Sequence, residues 1–462
     1  AVIASTHGSA LRNSTIGATL DVLHLMKSAR SRQKGLIADV FISHNWQELF
    51  EDFVKTAKGI GNSKTRVWVC AFAINQNADI AGELGTSLEE CPFAKALKQA
   101  QRVVVFMDST AVTLTRVWCV FELYLTHKLA KQIYVSLPDN TVAEAWTAVR
   151  GKLEDMDVRK CSASNQDDLM HILSHIKGAE DNLNEKVHRV VASICDDART
   201  LAGARNGEFD TVANSEQPLC HDAKERSSFH YAAAAGSLDI LSLLLRTDST
   251  ILRHCDLDGN SALHFAAQGD SQEAFKFLVE KGASVHRANH FGQTPLHVAA
   301  MHGSLVAVEY AVKVGAQVRA STIARPVVWR GSRWLDVVEE DLRVGTPLHL
   351  AACSGHAQAV ASLVRLRASV NSAAPGFTPA CAAAGSGHEG ALRMLIQLRA
   401  AINARSVHPG ASLLHMAAKM GHHHMISPLL DLHADIEIAM SAGFFKGASP
   451  LMTAAEAGHT DV

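Results

Sequence analysis

The chain has 462 residues, with 44 Lys+Arg against 46 Asp+Glu, 47% hydrophobic and 19% charged residues, which suits about two to four domains of roughly 150 residues. A net charge of -2 gives no chain-wide attraction to nucleic acid or to an anionic membrane surface, although a local patch can hide inside a balanced total. No stretch approaches the ~20 apolar residues of a membrane span, and Ala1 to Ala10 lack a secretory leader. Nine scattered cysteines without a CxxC argue against a disulfide framework or a zinc finger and for a reducing compartment, the cytoplasm. Ala in place of Met at residue 1, and a last repeat that stops short at Val462, lead us to expect a fragment or a processed product.

Residues 1–35 read as an N-terminal extension. From Asp39 onward, short β-branched runs alternate with helical stretches, the pattern of parallel strands joined by crossover helices. Strands are predicted at Asp39 to Ser43, Arg66 to Cys70, Arg102 to Asp108, Ile133 to Leu137 and, weakly, near Val158. Helices are predicted at Glu48 to Lys58, Pro92 to Ala100, Trp118 to Ala130, Val142 to Leu153, Asp167 to Lys177 and Asn184 to Arg199. A phosphate-cradling loop would signal a nucleotide site, but Gly59 to Thr65 precedes a strand and its Lys64 does not follow the second Gly. GxGxxG, HExxH and GxSxG are absent, and His171 and His175 lack a third ligand.

Three segments remain: Asp39-Val40-Phe41-Ile42-Ser43-His44 at the first strand, Trp68 to Gln76 at the second, and Arg116 to Leu123 opening the helix after the third. The first and last resemble the two signature segments of Toll/interleukin-1 receptor (TIR) domains. The middle one is similar to a run of fungal heterokaryon-incompatibility domains, which are TIR relatives. The resemblance covers about 36–200 and implies a flavodoxin-like α/β fold with a parallel five-stranded sheet. It further implies self-association in signalling and, in many members, hydrolysis of NAD to nicotinamide and an ADP-ribose product. The catalytic carboxylate implied is Glu122, with NAD as substrate and no resident cofactor.

In a doubly wound sheet ligands bind beyond the carboxyl ends of the strands, so Ser43, His44, Trp46, Phe72 and Trp118 are candidate substrate contacts. Trp46 or Phe72 could stack on the nicotinamide ring. A fixed carboxylate facing an oxocarbenium-like ribose is the minimal catalytic device, and it requires an open cleft beside Glu122. The structural alternative makes Val40, Phe41 and Ile42 core, packs one helix face with Trp118, Val120 and Phe121, and leaves Glu122 an ordinary helical glutamate paired with Lys or Arg. Two functions stay open: a latent NAD hydrolase, or a non-enzymatic adaptor. The long Ala71 to Cys91 stretch, and His44-Asn45-Trp46 where TIR domains usually carry Arg or Gly, depart from the family pattern.

Residues 201–226 read as a polar connector. Beyond them Ser227, Ser261, Thr294, Thr346, Thr378, Ser412 and Ser449 recur at spacings of 34, 33, 52, 32, 34 and 37, close to the ~33-residue ankyrin period apart from one insertion. Ala-Ala stands five and six residues after each anchor, and Gly nine residues after in six of seven; Asp270 is the exception. A Ser or Thr hydroxyl can cap a first helix, Pro suits its first position, and Gly gives the left-handed turn before a second helix such as Ile240 to Leu245 or Ala391 to Leu398. Thr294-Pro295-Leu296-His297 and Thr346-Pro347-Leu348-His349 resemble the ankyrin repeat family, covering 227–462. That resemblance implies an all-α solenoid whose concave face and finger loops bind a protein partner, with no catalytic machinery.

Cys381 takes the recurrent His position in the fifth repeat, and Arg367, Arg399 and His433 replace the Gly that usually closes the second helix, so those turns are expected to be strained or differently capped. His230, His264, His297, His349 and His415 recur at one repeat position and are expected to be structural hydrogen-bonding groups. His422-His423-His424 looks metal-like only in isolation, and no metal site is expected. The insertion near 319–345 carries Arg325, Trp329, Arg330, Arg333 and Trp334, a candidate partner contact or a tolerated surface loop.

Overall fold

The computed structural model describes residues 40–43, 67–69, 92–106, 112–136, 149–162, 166–322, 344–373, 376–406, 410–441 and 446–461. The extension 1–35, the 48–58 helix, the 59–65 and 71–91 loops, residues 323–343 of the insertion, and His44, Trp46 and Phe72 lie outside them. The chain divides into two compact units, Ala1–Ser228 and Phe229–Val462.

In the first unit, β1 (Val40–Ser43), β2 (Val67–Val69), β3 (Arg102–Phe106) and β4 (Gln132–Ser136) form one sheet in the order β2-β1-β3-β4. Every pairing is parallel, with Val40 opposite Val67 and Arg102, and Arg102 opposite Gln132. A parallel sheet is covered on both faces, which is why its strands read as unbroken valine runs: Val40, Ile42, Val103, Val104 and Val105 are all buried. Among the described residues the crossover elements are α1 (Pro92–Gln99), which turns Ala94 and Leu97 inward, and α2 (Val117–Lys128). α3 (Gln166–Ile176) and α4 (Glu180–Asn206) complete the core with Ile172, Ile176, Leu183, Val187 and Val191.

Two expectations need correction. Val158, expected weakly as a strand, starts a short 3-10 turn, Val158–Lys160. The Asp157 side chain accepts from Arg159 N–H at 3.1 Å, and Asn184 Oδ1 accepts from Val158 N–H at 2.9 Å, so the donor a strand would offer a neighbour is consumed by α4. Parallel contact instead shrinks to a single bridge between Arg116 and Ser162. The expected connector 201–226 begins as the last turns of α4, closed by Gly207 at φ 76°, and continues through the short α5 (Phe209–Ala213).

The second unit is a series of helix pairs. The first helices are α6 (Ser228–Ala235), α8 (Ala262–Gln268), α10 (Pro295–His302), α12 (Pro347–Cys353), α14 (Pro379–Gly385), α16 (Leu413–Lys419) and α18 (Pro450–Ala457). The second helices are α7 (Leu238–Thr247), α9 (Gln272–Glu280), α11 (Leu305–Lys313), α13 (Ala357–Arg365), α15 (Glu389–Gln397) and α17 (Ile426–Asp431). As the sequence predicts, the anchor hydroxyls cap: Thr378 accepts from Cys381 N–H at 3.3 Å and Ser449 from Met452 N–H at 3.3 Å. The paired alanines of the first six repeats lie in the core, Ala351 and Ala352 among them at 0% exposure, which lets helices approach where a larger side chain would hold them apart.

Gly303 and Gly355 need glycine twice over. Both are left-handed, at φ 73° and 80°, and a Cβ there would lie 2.5 Å and 2.7 Å from the His356 and His388 rings of the following repeat. Arg367, Arg399 and His433 take φ 70°, 71° and 64° with no glycine to ease them, so the expected strain is real. Holding a side chain in that region costs about 1 kcal/mol.

Two consequences are measurable. Ala351→Leu should overpack its hairpin and cost about 1–3 kcal/mol in thermal or urea unfolding. Arg399→Gly should raise stability, because relief of left-handed strain of about 1 kcal/mol outweighs the added freedom of the unfolded chain; a lower melting temperature would contradict this account of the turn.

Candidate functional site

The array presents finger turns between successive helix pairs, and a row of buried histidines sets their placement. In four repeats the ring Nδ1 accepts from the backbone N–H of its own anchor, at 3.1 Å for His264 and His297 and 3.2 Å for His349 and His415. Nε2 reaches the next finger, donating to Gln293 O at 3.0 Å, Ala320 O at 3.1 Å, Phe377 O at 2.9 Å and Ala448 O at 2.9 Å. An N–H can only donate and a carbonyl can only accept, so the ring must be neutral with its proton on Nε2. Burial pushes His264, His297 and His349 down to about 4 from 6.5. In the fifth repeat the Cys381 thiol accepts from the Thr378 hydroxyl at 3.3 Å within its own repeat.

The fingers themselves are braced. Asp256 accepts from Asp258 N–H at 3.0 Å and from Asn260 N–H at 2.7 Å. In the next finger Asn289 Oδ1 accepts from Phe291 N–H at 3.0 Å and Gln293 N–H at 2.9 Å. The two are tied together by Asn289 Nδ2 donating to Asn260 Oδ1 at 2.8 Å and His290 N–H donating to Asp258 O at 2.8 Å. On this fixed turn Phe291 stands 58% exposed. Sequence reasoning did not single it out; the available signal was an aromatic at the turn position where the neighbouring fingers carry Lys224 and Asp258. The tract His422 to His424 serves the backbone instead: Nε2 of His422 and of His424 donate to Gly385 O and Gly387 O, each at 3.0 Å.

The residues proposed for NAD chemistry are placed only in part. Ser43 ends β1 opposite Val105, at the carboxyl edge of the sheet, and Trp118 lies in the first turn of α2. Glu122 sits one turn further along α2 and is 1% exposed. Its helix is apolar nearly all round, with Val117, Val120, Phe121, Leu123 and Leu125 buried, as befits a helix enclosed by its domain. Thr126 also bonds back to the Glu122 carbonyl at 2.6 Å. The carboxylate therefore faces the interior and is closed to solvent in this conformation.

Comparisons with known proteins bear on the array. Residues 203–289, 229–322 and 333–406 match the family model for ankyrin repeats in three copies, and 410–440 match that for a single ankyrin repeat. A transient receptor potential cation channel subfamily A member 1 homologue of Caenorhabditis elegans is 29% identical over 104 residues, 22% of this chain and 9% of the relative. A probable serine/threonine-protein kinase of Dictyostelium discoideum is 31% identical over 113 residues, 22% of this chain and 13% of that protein. A putative ankyrin repeat protein of Rickettsia bellii is 32% identical over 76 residues, 16% of this chain and 42% of that protein. The chain thus spans less than half the length of each of these relatives. The human ASB11 ankyrin repeat domain superposes with a TM-score of 0.40 at 23% identity, covering 51% of this chain and 98% of that one. Residues beyond the first unit form an ankyrin repeat array, which implies protein–protein interaction. Among the described residues no helix is long and apolar enough to cross a membrane.

The histidine row gives the array a pH dependence whose sign follows from the depressed folded values. The unfolded chain binds these protons near 6.5 and the folded one only near 4, so the stabilisation is complete above about 6.5 and is lost as pH falls toward 4. Each of His264, His297 and His349 contributes about 3 kcal/mol to that loss. Helicity followed at 222 nm against pH should show cooperative melting of the array in this window, and unfolding free energy should depend less steeply on pH in His349→Gln.

Proposed function

We propose that the protein is a two-module cytoplasmic interaction protein: the ankyrin array holds a protein partner on its concave face and finger loops, and the first unit is a TIR-like module for self-association. One observation carries the first half. Phe291 is offered to solvent on a finger whose backbone is already bonded in place, so a partner can bury the ring without first ordering the loop. The sheet order β2-β1-β3-β4 supports the second half, being the order of the first four strands in flavodoxin-like sheets.

Between the two functions left open by the sequence, the sealed position of Glu122 favours the adaptor. A carboxylate that stabilises a ribose cation must touch it, and a 1% exposed side chain touches only protein. NAD hydrolysis through Glu122, with Ser43, His44, Trp46, Phe72 and Trp118 as contacts, requires the surroundings of α2 to part.

Both halves are testable on the full chain. A partner captured by the wild-type protein should bind Phe291→Ala at least about tenfold more weakly in a titration; equal affinity would remove the finger from the interface. Incubation with NAD should release nicotinamide no faster for wild type than for Glu122→Gln, and a rate that depends on Glu122 would restore the hydrolase.

A further inference from the structure

Four of the turns that follow second helices carry basic residues and no acidic ones. Segments 281–289, 314–322, 366–373 and 398–406 contain Lys281, Arg287, Arg319, Arg367, Arg399 and Arg405 and no Asp or Glu. All six side chains are exposed. The turns are also neighbours in space. Arg287 Nη1 donates to Arg253 O at 2.7 Å, Arg319 Nε to Arg367 O at 3.4 Å, and Arg405 Nη1 to Ala439 O at 2.8 Å. Asn371 joins 366–373 to 398–406, its Oδ1 accepting from Ala401 N–H at 3.0 Å. Arg319, Arg367, Arg399 and Arg405 therefore stand on turns bonded in succession along one edge, and Arg287 stands on a turn bonded to the one before it. Glu309 is bonded to Arg365 beside the line, and Asp435 and Glu437 end it at the sixth repeat.

A depression of about 440 Å³ interrupts this edge, walled by Gln317, Val318, Arg319, Ala320, Leu366 and Arg367. Two guanidinium-bearing residues, Arg319 and Arg367, thus line a hollow whose volume falls at the small end of ligand pockets.

We propose that this edge docks an extended acidic segment of a partner protein, with one acidic side chain seated in the depression between Arg319 and Arg367. The proposal rests on the reading of the array as a protein-binding module and names the chemistry of the partner. Guanidinium groups match carboxylates as planar forks, and an edge without acids offers no competing acceptor side chain. Stacked helices step by about 8–10 Å and an extended chain by about 3.3 Å per residue, so the edge is matched by an acidic residue at roughly every third position. Nucleic acid fits less well. A duplex interface covers a broad basic surface, whereas this line is one turn wide and ends at Asp435 and Glu437.

The test uses the full chain and fluorescence polarisation with three probes: a labelled peptide of about 15 residues carrying Glu at every third position, a peptide of the same composition with its glutamates clustered at one end, and a DNA duplex of similar length. Wild type should bind the periodic peptide best, with affinity falling as salt rises. Arg319→Glu with Arg367→Glu should weaken it at least about tenfold, and the charge-neutral pair Arg319→Gln with Arg399→Gln should weaken it by a smaller factor, with helicity unchanged in both. Equal affinity of wild type and the Glu variant, no preference for the periodic spacing, or tighter binding of the duplex would overturn the assignment. Because the finger reading depends on Phe291→Ala and partner affinity, failure here would leave it standing.

Discussion

A neutral imidazole bonded at both nitrogens is the constraint on which the array depends. Each ring of His264, His297, His349 and His415 holds the anchor of its own repeat through Nδ1 and the next finger through Nε2. A single helix pair in this array has too little buried surface to stand alone, so stability lies in contact with neighbours. The histidine makes that contact directional. Van der Waals packing of the alanine pairs sets how closely repeats approach, while the two hydrogen bonds set how they register. Position and chemistry are bound together here, because the same burial that excludes competing water also keeps the ring uncharged.

The finger geometry follows from this. A carbonyl pinned at the finger base leaves only the tip to be organised, and short polar side chains do that locally, Asp256 in one finger and Asn289 in the next. Such turns bring the chain to solvent already ordered, and Phe291 is exposed on one of them. The positive-φ arginines belong to the same scheme. Arg367 and Arg399 occupy turns that glycine would adopt more easily, at a cost of about 1 kcal/mol each, and they place charge on the edge where the other turns carry it too.

The first unit shows how a motif can fall where the sequence puts it while the setting of its acid is decided elsewhere. Arg116 to Leu123 reads as the opening of a helix after the third strand, and α2 begins there. Whether Glu122 is open or enclosed depends on what surrounds α2 in three dimensions, and buried residues from α2 and α4 make that helix an internal one.

Much of this protein was legible in its sequence because the deciding physics is local. The 33-residue recurrence, the capping Ser or Thr, the left-handed Gly and the valine-rich strands each act within a few residues, so their positions followed from spacing and side-chain type. Other features joined residues distant in the chain, and only the tertiary structure decided them. Val158 turned away from the sheet because Asn184 took its N–H from 26 residues off. Glu122 was sealed by its neighbours, and arginines of separate repeats came to share an edge because successive turns lie side by side. Periodicity fixes which residues belong to a repeat; packing alone fixes which faces of those repeats meet water.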